Sequence, residues 1–207
     1  MSLAGRVDYI IEKDARWYPD VIKWLDSSGN PVNLANYGAK LQIKADKDSS
    51  AVLETMSDSF GDLVLGGGTG TIQIDMSGER TRLFTFSRAV FDLLLLPKVG
   101  SAIVTGGGYT IAVVEVNPTD GKATIKADGG TPFSTISAND YIGLTGSILN
   151  NNGIFKVYSA TNTVITLTGI LPGSDEVSET LSIQELSNEN KVRLAEGYIM
   201  LSKGVTT

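Results

Sequence analysis

The stretch FDLLLLPKVG, residues 91–100, determines how the rest of the chain is interpreted. Its first six residues are typical of a strongly apolar β-strand, and Pro97 and Gly100 then indicate that the strand ends. Such a strand needs a hydrogen-bonding partner, because an open apolar edge promotes aggregation. The next run of comparable apolar weight is KVRLAEGYIMLS, residues 191–202. We therefore predict that these two segments pair, and that residues 98–189 form a module inserted between them.

Outside that module, apolar residues recur with a period of two. TIQIDM, residues 71–76, and LQIKA, residues 41–45, each alternate apolar and polar side chains, which is typical of half-buried strands. A single helical turn is expected at 77–83. The pattern predicts an all-β fold, an Ig-like antiparallel β-sandwich. Its strands are expected at 7–12, 17–25, 39–45, 52–56, 63–65, 71–76, 88–96 and 192–202.

The inserted segment has hairpin signals of its own. YTIAVVEVNPTDGKATIKA, residues 109–127, reads as two strands joined by a turn at 117–121. DYIGLTGS, GIFKVYSA, TVITLTG and ETLSIQEL follow as further short strands, with a loop at ILPGSDEVSE. We predict a small β-barrel-like domain at 98–189, inserted before the last strand of a discontinuous sandwich domain formed by 1–97 and 190–207. A short turn should be able to replace such an insertion without unfolding the rest.

In the strand predicted at 88–96, Leu94 and Leu96 break the apolar–polar alternation. This indicates a strand that is buried on both faces or covered by the inserted module.

Composition excludes several kinds of chemistry. The chain contains no cysteine and no histidine, so disulfides, zinc, haem and iron–sulfur sites, and histidine-dependent nucleophiles are not expected. The formal net charge of −6 argues against a nucleic-acid partner. No apolar run has a membrane span's length and the N-terminus lacks signal-peptide features, so we expect a soluble protein without a membrane partner. Arg80, Arg82 and Arg88 are expected to be exposed arginines beside a strand.

Two glycine clusters, at 65–71 and 106–108, are interpreted as hairpin loops. LGGGTGT lacks the lysine of a phosphate-binding loop and leads into a strand, whereas nucleotide-binding loops open a helix.

Acidic clusters at Asp46 and Asp48, at Asp58 and Asp62, and at 175–179 (Asp175, Glu176 and Glu179) are interpreted as solvated turn residues, with weak calcium binding and catalysis as alternatives. None lies in an apolar sequence that would raise a carboxyl pKa. We therefore assign no catalytic, cofactor-binding or metal residue.

Trp17, Tyr18 and Trp24 are interpreted as core residues, with a sugar-stacking platform as the alternative. Asn150–Asn152 in the insertion are candidates for contact with a partner, although an Asn-rich hairpin tip is often only a turn.

The ordered series of sandwich segments resembles a small β-domain of structural proteins in tailed bacteriophages and prophages, and is similar to the N-terminal domain of upper baseplate proteins. The resemblance covers the first 97 and the last 18 residues. The inserted stretch from PFSTISANDYIGLTGS to TNTVITLTG also looks like a short module of phage tail proteins. The chain departs from the sandwich family in its insertion, where family members usually have a short polar turn. The matching positions are Trp24, Asp26, Gly29, Pro31, Leu34, Tyr37, the strand from Ala39 to Ile43, Phe91-Asp92-Leu93 and Glu196-Gly197.

The resemblance implies a non-enzymatic structural component of a phage virion, in the tail, baseplate or neck, assembled in the bacterial host cytoplasm. The alternative location is that of a prophage-encoded cytoplasmic protein. Its expected partners are other virion structural proteins and further copies of itself. The alternative hypothesis is a receptor- or carbohydrate-binding module of a phage tail, with Tyr141, Phe155 or Tyr158 as contact residues. A third hypothesis, a polysaccharide-degrading enzyme, rests only on the acidic clusters.

Overall fold

The computed structural model describes residues 5–104, 110–117, 122–147, 149, 151–168, 176–177 and 181–202, with only the backbone described at 113–117 and 176–177. The prediction of an all-β, sandwich-like fold is confirmed. The chain divides into two compact units, Met1–Leu96 with Lys191–Thr207 (unit 1) and Pro97–Asn190 (unit 2). These bounds lie one residue from the predicted ones.

Unit 1 contains two sheets. In the larger sheet, the apolar strand that begins at Arg88 lies at the centre. It pairs with the chain's last strand on one side and with a strand from the first half of unit 1 on the other. A three-stranded antiparallel sheet lies opposite. The elements are β1 (Gly5–Arg6), β2 (Tyr9–Glu12), β3 (Ile22–Lys23), β4 (Tyr37–Lys44), β5 (Val52–Ser57), β6 (Leu63–Leu65), β7 (Thr71–Ile74), α1 (Gly78–Arg82), β8 (Arg88–Val104) and β16 (Val192–Ser202).

The predicted pairing of the two long apolar segments is confirmed. β8 and β16 are antiparallel, with Leu95 opposite Val192 and Phe91 opposite Gly197. The pairing of β16 with β1 and β2 is parallel. The prediction of an antiparallel sandwich is therefore wrong for these strands. The chain's N-terminal strands and its last strand therefore share one ladder, whose residues lie at opposite ends of the sequence.

The core of unit 1 follows from the alternation in the sequence. On β8, Ala89, Phe91, Leu93 and Leu95 are buried, while the residues between them are only partly buried, so most of this strand has one buried face. The prediction that it is buried on both faces is wrong for that part, and only Leu96 breaks the pattern. The other core residues include Leu41, Ile43, Leu63, Ile72, Ile74 and Ile199.

Contrary to the prediction, β8 does not end before Pro97. It continues to Val104, with residues 88–96 in unit 1 and 97–104 in unit 2. Pro97 lies between the last residue paired with β16, Leu95, and the first paired with the next partner strand, Lys98. A proline has no N–H to donate to a ladder, and it is tolerated at this change of partner because neither register pairs it. Its carbonyl accepts a hydrogen bond from Ser187 N (2.8 Å).

Unit 2 is an antiparallel sheet around a separate core. Its strand order is β8-β15-β11-β12-β13-β10-β9-β14, and the short strand β14 lies in a segment that was predicted to be a loop. The predicted turn at 117–121 falls mostly outside the described residues, as does the loop before β14. The strands are β9 (Ile111–Asn117), β10 (Lys122–Ala127), β11 (Tyr141–Thr145), β12 (Gly153–Ala160), β13 (Val164–Thr168), β14 (Glu176–Val177) and β15 (Ser182–Leu186).

Helical structure is sparse in the described part of the chain. α1 is five residues long, at the position where one helical turn was predicted, and no helix among the described residues has the length and apolar character of a membrane span.

Candidate functional site

The side chains of unit 1 that point away from its core form an exposed surface on the larger sheet. The register places them in rows across the strands: Ile10 beside Met200 and Arg88, Tyr198 beside Val90, and Arg6 beside Glu196 and Asp92. Because alternate residues of a strand share a face, the buried residues Phe91 and Ile199 lie on the opposite side. We call these eight residues the outer face.

An arginine–tyrosine–arginine stack lies at the centre of the outer face. The Arg88 guanidinium carbon is 3.8 Å from the centroid of the Tyr198 ring, and that of Arg6 is 5.2 Å from it. The guanidinium groups are attracted to the ring's negative faces, which holds flexible side chains in place. Tyr198 N also donates a hydrogen bond to Asp8 Oδ1 (2.9 Å), which ties the segment after β1 to β16.

A charged cleft of about 430 Å³ opens beside this stack. It has four basic and three acidic side chains: Arg6, Lys44, Lys47 and Arg193, with Asp48, Asp92 and Glu196. Arg193 Nε lies 2.8 Å from Asp92 Oδ1, and its Nη1 lies 3.3 Å from Glu196 Oε2. Burial raises the pKa of Asp92, Arg193 opposes that rise and Glu196 adds to it. The cleft therefore offers both signs of charge to a polar partner.

An apolar pair lies at the edge of the same face. Ile10 on β2 and Met200 on β16 are direct neighbours across the ladder and are 63% and 48% exposed. Their exposure is informative, since protein interfaces are enriched in methionine, tyrosine and arginine, all of which this face carries. Sequence reasoning identified the two strands but not this face, because the β2–β16 pairing joins residues 190 positions apart.

Arg80 is not an exposed arginine, so that prediction is wrong. Its side chain is only 23% exposed and bridges Glu54 Oε1 (2.8 Å) and Asp62 Oδ1, and it also donates to Thr55 O (3.1 Å). Arg82 is 63% exposed, 4.0 Å from Asp14, and Arg88 is exposed as expected.

The prediction for Asp62 is also wrong. This carboxylate is buried rather than solvated, and burial raises its pKa while Arg80 opposes the rise. No sequence signal indicated this, because the burial comes from partners 18 positions away in α1 and 8 positions away in β5. Arg80 neutralises Asp62 and Glu54 and donates to Thr55 O of β5, so we assign the Arg80–Asp62–Glu54 cluster a structural role.

Asp46 and Asp48 are exposed turn residues as predicted, whereas Asp58 lies in a turn but is half-buried and bonds to β4. Asp46 Oδ1 accepts from Asp48 N (3.0 Å), and Asp58 Oδ1 accepts from Ala39 N (2.8 Å). Asp175 and Glu179 lie outside the described residues, and so does the side chain of Glu176. Among the described residues no group of three acidic side chains is arranged to hold a metal ion.

The three aromatic candidates of unit 1 do not form one platform. Trp17 is buried in the core with its ring centroid 5.4 Å from that of Tyr9, and Trp24 packs edge-on against Tyr37 at 5.6 Å. Both fit the interpretation as core residues, but Tyr18 does not, since it is 56% exposed with Arg16 over its ring at 4.8 Å.

The aromatic candidates of unit 2 are also separated. Phe155 lies opposite Ile142 and packs against the core, whereas Tyr141, which is opposite Lys156, is half-buried on the other side of the sheet. Only Tyr158, 55% exposed, is freely accessible.

The asparagine loop of unit 2 is less exposed than predicted. Asn151 is fully buried and donates its N–H to Ser147 Oγ (2.7 Å), while Asn152 Oδ1 accepts from Ser147 N (2.9 Å). Asn150 lies outside the described residues. The described part of the loop is therefore a structured turn around Ser147.

The first glycine cluster is a hairpin loop, as predicted. Gly67–Thr69 form one 3₁₀ turn between antiparallel β6 and β7, and Gly70 has a φ of 65°, which favours glycine. The second cluster, at 106–108, lies outside the described residues.

Searches against protein-family models, curated proteins and solved structures found no match to this chain. The phage resemblance therefore rests on the sequence segments quoted above.

Proposed function

We propose that this protein is a non-enzymatic structural component of a phage virion, in the tail, baseplate or neck, and that unit 1 assembles through its outer face. The observation that carries the proposal is the exposed Ile10–Met200 pair beside the Arg6–Tyr198–Arg88 stack. Exposed apolar side chains next to ordered arginine and tyrosine side chains are the composition of an interface centre.

The charged cleft supplies the polar part of the same interface. Its mixture of acidic and basic groups suits a protein partner with complementary charges, and such complementarity gives specificity and orientation rather than a large affinity. A ring of identical copies would repeat this modest contact many times, so a weak single interface is sufficient. The expected partners are other virion proteins or further copies of this chain, brought together in the cytoplasm of the bacterial host.

The test is the assembly state of the full chain and of matched surface variants. We would measure mass by light scattering over a range of concentrations, and binding to proteins encoded by neighbouring genes. Met200→Glu and Ile10→Glu should each weaken the association by about tenfold or more, because a charge is placed in a contact that excludes water. Leu83→Glu is the control, since Leu83 is 72% exposed at the end of α1, outside this face.

A chain that stays monomeric and binds none of these proteins would overturn the proposal. Equal weakening by the control variant would show that the outer face is not the interface.

A further inference from the structure

The chain carries its sulfur only in methionine, because the sequence contains four methionines and no cysteine. Met56 and Met76 are fully buried in the core of unit 1, whereas Met200 on β16 is 48% exposed. Met1 lies outside the described residues. An oxidant must reach a thioether to react with it, so the fold distinguishes one accessible thioether from two protected ones.

Met200 is the middle residue of a row of three exposed side chains on the outer face. Its direct cross-strand neighbours are Ile10 on β2 and Arg88 on β8. Met200 is therefore flanked by an apolar side chain on one side and by a guanidinium group with five N–H donors on the other. The same guanidinium group lies over the Tyr198 ring, 3.8 Å from its centroid. A chemical change at Met200 would affect both the apolar pair and the arginine–tyrosine–arginine stack.

We propose that Met200 is an oxidative modification site at which hydrogen peroxide controls assembly through the outer face, a control that rests on the function proposed above. One oxygen atom passes from the peroxide to Met200 Sδ, the O–O bond breaks and water leaves. The sulfur loses two electrons and the peroxide gains them. The product is methionine sulfoxide, which a methionine sulfoxide reductase returns to methionine by oxidising two thiols to a disulfide and releasing the oxygen as water.

The sulfoxide would weaken an interface at this face in two ways. It places a polar group beside Ile10, and that group must lose its water when a partner covers it. Its oxygen also accepts hydrogen bonds, and a bond from the neighbouring Arg88 would compete with the contact between Arg88 and Tyr198. Conversely, an assembled interface that excludes water should protect the sulfur from peroxide.

The first measurement locates the oxidation. The dilute full chain is treated with hydrogen peroxide, and the sulfoxide at each methionine is followed by peptide mass spectrometry. Met200 should oxidise about tenfold faster or more than Met56 and Met76, since buried thioethers react only when the structure opens. Unfolding the chain in urea should remove the difference. Equal rates in the folded chain would overturn the proposal.

The second measurement connects oxidation with assembly. Light scattering over a range of concentrations should show about tenfold weaker association once Met200 is oxidised, and methionine sulfoxide reductase should restore the association. The matched variant is Met200→Leu, which keeps an apolar side chain without sulfur and should associate equally before and after peroxide. The control of assembly is overturned if the oxidised chain associates as well as the untreated chain, or if peroxide weakens the leucine variant equally.

This result can be separated from a failure of the proposed function. If the untreated chain stays monomeric and binds none of the proteins encoded by neighbouring genes, the proposed function is wrong and so is the control of assembly. Mass spectrometry alone then decides whether Met200 is oxidised selectively. If the untreated chain assembles but Met200 oxidises as fast in the assembled as in the dilute state, Met200 lies outside the interface and only the control of assembly is overturned.

Discussion

Replacing Arg80 by alanine should destabilise unit 1 far more than the same replacement at Arg82, two residues further along α1. Arg80 → Ala leaves the carboxylates of Asp62 and Glu54 without their cation in a site where these side chains are only 9% and 22% exposed. Removing one partner of a buried ion pair costs about 3–5 kcal/mol. Because this site is partly open to solvent, we expect about 3 kcal/mol at neutral pH.

Arg82 provides the matched control. It is 63% exposed and reaches its closest carboxylate, Asp14, only at 4.0 Å. Exposed pairs of this kind contribute about 0–1 kcal/mol, so Arg82→Ala should change the free energy of unfolding by about 0.5 kcal/mol or less.

The assay is urea unfolding followed by tryptophan fluorescence. Both tryptophans, Trp17 and Trp24, belong to unit 1, so the signal reports on the unit that contains Arg80. With a typical dependence of about 1–3 kcal/mol per molar urea, the Arg80→Ala midpoint should fall by about 1–3 M. The difference from the wild type should narrow in acid, where Asp62 is protonated and no longer needs a cation. Equal midpoints for the Arg80 and Arg82 variants would refute this reasoning.

Two further predictions concern single positions in unit 1. A Cβ at Gly197 would lie 1.7 Å from the Val7 carbonyl oxygen, so Gly197→Ala should destabilise unit 1 by about 1–3 kcal/mol in the same urea assay. Gly5→Ala is the control and should be nearly neutral, since the nearest atom to its Cβ would be 3.7 Å away. Similar urea midpoints for both variants would contradict this prediction. Burial lowers the pKa of Lys40 to about 8, so the unfolded chain binds the Lys40 proton more tightly than the folded chain does. The free energy of unfolding should therefore rise between about pH 8 and 10.5, by on the order of 3 kcal/mol relative to Lys40→Met. Parallel curves of unfolding free energy against pH for the two proteins would disprove the shift.

Much of the fold could be predicted because the strands carry their own signals. The alternation at 71–76 became β7 with Ile72 and Ile74 buried, and the glycine cluster before it became a hairpin loop. In a strand with one buried face every second residue is apolar. The core can therefore be predicted from the sequence wherever apolar and polar residues alternate regularly.

The corrected residues lie where partners are far apart in sequence. Asp62 reads as a turn residue beside Gly61, and only the fold places Arg80 against it. Pro97 reads as the end of a strand, because a missing N–H usually interrupts a ladder. At Pro97, however, the strand changes partners from β16 to β15 and continues.

The composition of the chain gives its net charge but not how that charge is distributed over its surface. A net charge of −6 argues against an anionic partner when charge is averaged over the molecule. A partner meets one face at a time, however, and the strand register places Lys122, Lys126 and Lys156 on one side of unit 2. Alternation sends neighbouring residues of a strand to opposite sides, so the charge of a face depends on parity and register, which composition does not record. Net charge therefore describes the chain as a whole, whereas the charge of a single face follows from the register.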